Sequence, residues 1–501
     1  MNYLSTRGGG QPVSSAEAIK TGIAPDGGLY VPESTVKIDF WQLEAMRQAD
    51  YCGRASTILP YYLTDFTPGE IGDCVWGAYS PLSFEHPEIA PVRELYKGTY
   101  VLELWHGPTS AFKDMALQAL PRFLPLAAAK TGEKAEIVIL VATSGDTGKA
   151  ALEGFRDVPG TSIIVFFPDE GVSEVQRLQM VTQEGCNVGV AAVRGNFDDA
   201  QNGVKAIFTN ESMKKLLQEK GFKFSSANSI NWGRLAPQIV YYFSAYLDLQ
   251  QKGVLANGEP VNFVVPTGNF GNILAGYYAL RAGLPINRLI CASNENNVLN
   301  DFIKTGVYDR NRTFHKTLSP SMDILISSNL ERLLFELTGK DAGTVREWMG
   351  QLGETGGYNV GKGILEQIHS IFWSGFADDR ETLLTIKKTF ENNGYLADTH
   401  TAVGINVYNK YRELTGDNTH TVILSTASPY KFNRSVVKAL LGDEAVVGRN
   451  EFDLLETLSR VSGTEIPRNL KNLDKKPVLH GQVVERDHMA GAVMDFLNTK
   501  K

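Results

Sequence analysis

One lysine lies at the centre of the stretch Leu104-Trp105-His106-Gly107-Pro108-Thr109-Ser110-Ala111-Phe112-Lys113-Asp114. A turn-forming Gly-Pro pair and two hydroxyl residues precede it, and the helix-compatible residues Met115, Ala116 and Leu117 follow. An amine set between Phe112 and Met115 is partly desolvated. Desolvation disfavours the ammonium, lowers the pKa and makes the amine a usable nucleophile. A neutral amine condenses with an aldehyde, and pyridoxal 5'-phosphate is the common aldehyde cofactor. Taken alone, Lys113 more often reads as a helix-start lysine with its stem packed and its head in water. Other stretches reverse that preference.

Gly268-Asn269-Phe270-Gly271-Asn272 lies between a buried-strand pattern and a helical one. Glycines there let the backbone approach an anion, and a helix N-terminus supplies free N–H groups. The segment contains no lysine or arginine, which suits a monophosphate held by amides and an asparagine. Its spacing fits neither the dinucleotide fingerprint nor the P-loop. Thr143-Ser144-Gly145-Asp146-Thr147 is a second strand-to-helix turn, followed by Gly148-Lys149. A threonine stands where a Walker motif needs its first glycine, and Ala150 follows the lysine, so that motif fails. A small polar loop at a strand end suits gripping a carboxylate, while Asp146 also fits a helix cap. Thr426, just past another strand, has a hydroxyl that suits a pyridine nitrogen, though an ordinary turn threonine is the simpler reading. Arg234, after Asn231-Trp232-Gly233, has the fork that suits phosphate or carboxylate, or else a surface ion pair. His106 and His400 read as structural, and Arg7 and the Asp26-Gly27-Gly28 turn as surface turn chemistry.

The elements that must position these groups change character along the chain. Residues 1–91 read as mostly helical, with turns and short edge strands. From residue 100, apolar β-rich runs at 137–142, 162–167, 188–193 and 261–265 alternate with helical patterns at 116–130, 149–155, 174–184 and 236–249. Continuous apolar runs spaced by helices mean βαβ units and parallel sheets. The charged tail after Gly442 reads as peripheral.

Composition narrows the function classes. The 501 residues suit two to four domains, and a net charge of −7 without a basic run argues against nucleic-acid or anionic-membrane binding. Cys52, Cys74, Cys186 and Cys291 are far apart, without metal spacing, and read as reduced thiols. No apolar run is long enough to span a bilayer, and the first residues lack the core of a signal peptide. A cytoplasmic protein is the expectation.

Taken together, these stretches resemble the threonine synthases among the fold-type II pyridoxal-phosphate enzymes. The resemblance also covers Tyr3-Leu4-Ser5-Thr6-Arg7-Gly8, residues 24–32, Asn228-Ser229-Ile230-Asn231 and Asp398-Thr399-His400-Thr401-Ala402. It spans nearly the whole chain and points to the longer bacterial and fungal subgroup. Ser428 and Thr399 depart from it, since many relatives carry histidine and proline there.

The resemblance implies an α/β, tryptophan synthase β-like fold: two parallel-sheet domains plus a mostly helical N-terminal unit. The boundaries it implies are 1–95 for that unit, 96–134 with 235–501 for a large cofactor domain with a C-terminal extension, and 135–234 for a small domain. Lys113 would carry pyridoxal 5'-phosphate as a Schiff base. Gly268, Asn269, Phe270, Gly271 and Asn272 would hold its phosphate, and Thr426 would meet its ring nitrogen. Ser144, Asp146 and Thr147 would lie near the substrate carboxylate or a cofactor oxygen. Arg234, Lys149 and Thr109 are candidates for the leaving phosphate. The implied reaction turns O-phosphohomoserine and water into threonine and phosphate, in a monomer or dimer. Two rivals remain: a phospho-lyase for O-phosphothreonine or O-phosphoserine, and a non-catalytic binding module.

Overall fold

The computed structural model describes residues 1–143, 145–170 and 172–499. Six strands form the larger sheet, in the order Phe372–Phe376, Ile286–Ser293, Val261–Pro266, Thr421–Ser425, Thr99–Glu103 and Val92–Tyr96. Every pair in it is parallel except the last. Five parallel strands form the smaller sheet, ordered Gln482–Val484, Val188–Val193, Thr161–Pro168, Glu136–Ala142 and Phe222–Ser225. The N-terminal residues pair Tyr3–Ser5 with Tyr30–Pro32 and then run through four α-helices between Ser15 and Ala78.

The smaller sheet shows why its strands read as unbroken apolar runs. Ile137, Ile139 and Val141 point into the main core, while Val138 and Leu140 point into a second cluster on the other face. Both faces are covered, so period-two alternation of polar and apolar residues disappears. The second cluster includes Val484, Met489, Val493 and Leu497 from the chain's end. The tail is therefore not peripheral. Its apolar residues are diluted by charge, which hid an edge strand, Gln482–Val484, and a packed helix, Met489–Thr499.

Helix Trp232–Gln251 runs through the middle of the molecule, with Tyr241, Tyr242 and Tyr246 fully buried. Among the described residues no helix is long and apolar enough to cross a membrane.

Candidate functional site

Residues 104–113 are held against the end of strand Thr421–Ser425. The Leu104 N–H donates to the Ser425 carbonyl at 3.0 Å, and the Phe112 N–H donates to the Thr426 carbonyl at 2.8 Å. The Ser428 N–H closes the ladder on the Ser110 carbonyl at 3.0 Å. Ser110 itself has φ 58°, a left-handed conformation costly for a residue with a side chain and typical of functional turns. Ahead of the lysine the turn folds onto Asp114, which accepts from the Thr109 N–H at 2.8 Å and the Thr109 hydroxyl at 2.7 Å. Gly107 is required there, because a Cβ would fall 2.5 Å from that of Asp114. Burial pushes the Asp114 carboxyl up to about 6 despite those two donors.

Lys113 thus enters helix Asp114–Leu117 with its side chain 13% exposed. Burial lowers its pKa to about 8; Asp146 opposes that shift, while the Lys431 and Arg234 charges add to it. Its Nζ donates to the Ser321 hydroxyl at 3.3 Å and lies 3.8 Å from Asp146 Oδ2.

Asp146 lies in the first turn of helix Asp146–Phe155, just after Gly145 with φ 143°. Its carboxylate does not cap that helix as an N-cap would. It accepts instead from Lys431 Nζ at 2.6 Å, Gln176 Nε2 at 3.0 Å and the Ser321 hydroxyl at 3.2 Å. Burial opposes its ionisation, but Lys431 and Lys113 outweigh burial and hold the carboxyl well below its usual range. Lys431 is fully buried and also donates to the Thr109 carbonyl at 3.0 Å.

Strand Val261–Pro266 ends at the glycine-asparagine turn. Phe270 has φ 62° and precedes helix Gly271–Ala282, so neighbouring N–H groups converge as an anion nest. Asn272 Oδ1 accepts from the Tyr241 hydroxyl at 2.6 Å and the Tyr242 hydroxyl at 3.0 Å. Its buried Nδ2 has no partner among the described residues. A buried donor left unpaired costs roughly 1–3 kcal/mol, and a phosphate oxygen would satisfy it. The Asn269 carbonyl is fixed by Asn329 Nδ2 at 2.9 Å, and Asn329 Oδ1 by Arg332 at 2.5 Å. These features fit an anionic cofactor tail held by backbone N–H groups and Asn272.

Other predicted residues fall into place unequally. Buried Thr426 lies beside the lysine stretch. Arg234 is buried, donates to the Ala227 carbonyl at 2.5 Å, and its Nε has no partner among the described residues. Burial pulls it down to about 10. Thr147 is half-buried in the same turn as Asp146, and Ser144 lies outside the described residues. Lys149 bonds Glu153, one turn on, at 3.0 Å and also Gln183, while Thr109 is committed to Asp114. Lys113 instead bonds Ser321 and faces Asp146. Arg7, read as surface turn chemistry, instead forms a two-pronged pair with the distant, buried Glu331 at 2.9 Å. Sequence reasoning missed Ser321 and Lys431. The only signals were the polar loop around Ser319-Pro320-Ser321 and a lysine three residues past Ser428.

Residues 88–362 match the pyridoxal-phosphate dependent enzyme family. With one parallel and one largely parallel sheet and a mostly buried lysine, that match defines a fold-type II pyridoxal-phosphate enzyme. Residues 2–79 match the threonine synthase N terminus and residues 401–486 the threonine synthase C-terminal family. Threonine synthase of Pseudomonas aeruginosa is 39% identical over 96% of this chain and 99% of its own. Threonine synthase-like 1 of Homo sapiens is 40% identical over 85% of this chain, which matches 58% of that longer relative. The crystal structure of PLP-bound threonine synthase from Brucella melitensis has a TM-score of 0.88 at 37% identity, covering 100% of both chains. The yeast enzyme's structure gives 0.88 at 33% identity over 99% of each. The chain belongs to the threonine synthase family of pyridoxal-phosphate-dependent lyases.

Proposed function

We propose that the chain converts O-phosphohomoserine and water into L-threonine and inorganic phosphate. The observation that carries this reading is Lys113: a buried amine with a pKa near 8, set beside an ionised carboxylate and an anion nest. Bound pyridoxal phosphate supplies the electron sink that stabilises negative charge on the substrate carbons. The chain's own groups do the rest. Gly268, Asn269, Phe270, Gly271 and Asn272 hold the cofactor phosphate. Thr426, buried beside the lysine stretch, would offer a hydroxyl, not a carboxylate, to the ring nitrogen. With the cofactor bound, the free Lys113 amine would take the α-proton, help move the β-proton and return a proton to carbon.

Asp146, ionised between two lysines, repels a substrate carboxylate, so Thr147, Ser144 and the local amides take that role. Arg234 is favoured for the leaving phosphate. A buried guanidinium with an unpaired Nε is ready for an anion, whereas Lys149 and Thr109 already have close partners. We place the reaction in the cytoplasm, in a monomer or dimer that needs neither membrane nor nucleic acid.

The test is product analysis. With O-phosphohomoserine the protein should release phosphate and threonine in equal amounts. If 2-oxobutyrate from O-phosphothreonine is the main product instead, the chain is a phospho-lyase and this reading fails.

A further inference from the structure

The turn Pro320–Met322 lies between Lys113, Asp146 and the anion nest at Gly268. Ser321 Oγ accepts from Lys113 Nζ at 3.3 Å and donates to Asp146 Oδ2 at 3.2 Å. Its carbonyl would come within 2.8 Å of a Cβ on Gly268, so the turn also presses on the nest. Lys113 and Asp146 are 3.8 Å apart, too far for a direct hydrogen bond. The serine hydroxyl is the link between them.

Two polar groups, buried His400 and half-buried Asp323, fix the turn that carries that hydroxyl. The Ser321 N–H donates to His400 Nε2 at 3.2 Å, and the other ring nitrogen of His400 is held by Asp398 at 2.7 Å. Two residues on, Asp323 Oδ1 accepts from Asn294 at 2.7 Å, Asn296 at 2.9 Å and Thr317 at 2.8 Å. A turn pinned at both sides holds its middle residue in one place.

We propose that Ser321 is a further catalytic residue, coupling Lys113 to Asp146 so that each proton the lysine takes from substrate is balanced by the carboxylate. In that step the amine lone pair forms the new N–H bond, and the C–H electron pair stays on the substrate side. The resulting ammonium sits beside Lys431 and Arg234, whose charges oppose it. A hydroxyl that accepts from the ammonium and donates to Asp146 offsets that opposition. The proposal rests on Lys113 being the base in the reaction given above.

Ser321→Ala and Ser321→Thr test it, with Lys113→Ala as reference. Ser321→Ala should keep full cofactor stoichiometry and a KM within about threefold, while kcat falls at least ~10-fold. Ser321→Thr, which keeps the hydroxyl, should recover most of that loss. A second measurement does not need turnover. The pH midpoint for cofactor uptake by the apoprotein should fall by ~0.5 unit or more in Ser321→Ala, because the ammonium has lost an acceptor. Unchanged kcat and midpoint in Ser321→Ala, with Lys113→Ala inactive, overturns the role of Ser321 alone. Turnover surviving in Lys113→Ala overturns the reading beneath it.

Discussion

At the scale of single residues, the chemistry depends on which charges are left without a partner. Lys113 is driven toward the neutral amine first by burial and then by Lys431 and Arg234, with Asp146 pulling the other way. An amine's neutral fraction grows about tenfold per pH unit below its pKa. The rate of cofactor uptake by the apoprotein should therefore climb with pH, bend near 8 and stay flat above. An ordinary lysine would keep climbing toward 10.5. Stopped-flow absorbance across pH 6–10 separates the two curves. Asn272 supplies a second residue-level prediction. Asn272→Ala removes the unpaired Nδ2 and strips the Tyr241 and Tyr242 hydroxyls of an acceptor. Cofactor affinity should fall by roughly 10- to 100-fold, on the order of 1–3 kcal/mol, as read by equilibrium titration.

Lys113 and the glycine-asparagine turn were legible in the sequence because each motif is continuous and its residue types state its chemistry. Ser321, Lys431 and the Asp398–His400 pair were not. They lie more than two hundred residues from Lys113, and a serine or a lysine in a loop carries no local sign of its partner. His400 was read as structural, and its hydrogen bonds serve to fix the Ser321 turn. Lys149 is paired with Glu153, four residues on, a partner that helical spacing makes a neighbour.

At the scale of elements, close approach matters more than propensity. Helix Asp146–Phe155 packs on strand Thr161–Pro168 of the smaller sheet, yet it also touches the lysine helix Asp114–Leu117. Gly154 permits this, since a Cβ there would lie 1.9 Å from the Leu117 carbonyl oxygen. Gly154→Ala must push the helices apart. It should destabilise the protein by ~2 kcal/mol or more, seen as a lower urea midpoint, and raise KM by shifting Asp146 from Lys113. The βαβ alternation was readable from apolar runs, because both faces of each central strand are covered. Strands such as Val307–Asp309 and Gly357–Asn359 were not, being three residues long. So short a strand has no period to detect.

At the scale of the whole molecule, the chain's end ties the lysine turn to the smaller sheet. Asn469 Nδ2 reaches the Ser110 hydroxyl at 2.9 Å, close to the lysine turn. The Leu479 N–H donates to the Val181 carbonyl at 2.8 Å, and Gln482–Val484 then extends the smaller sheet. Deleting residues 482–501 should bare the sheet face that Val484, Met489, Val493 and Leu497 cover. Each buried aliphatic side chain contributes about 1.5–3 kcal/mol, so the truncated protein should bind a hydrophobic dye and be nicked by protease around the five-stranded sheet well before the six-stranded one. Intact resistance in the truncated chain would mean the tail only rests on the surface. The tail escaped the sequence reading because its packing residues are interleaved with exposed charges and match only when the distant strand Val188–Val193 is placed beside them.

The central claim is a covalent one and can be read directly. The purified protein, loaded with pyridoxal phosphate, reduced with borohydride and digested, should yield one phosphopyridoxyl-lysine peptide, with the label on Lys113. The visible band should be absent from Lys113→Ala. A protein that takes up no cofactor, or one whose label maps to Lys149, Lys431 or any other lysine, contradicts the account.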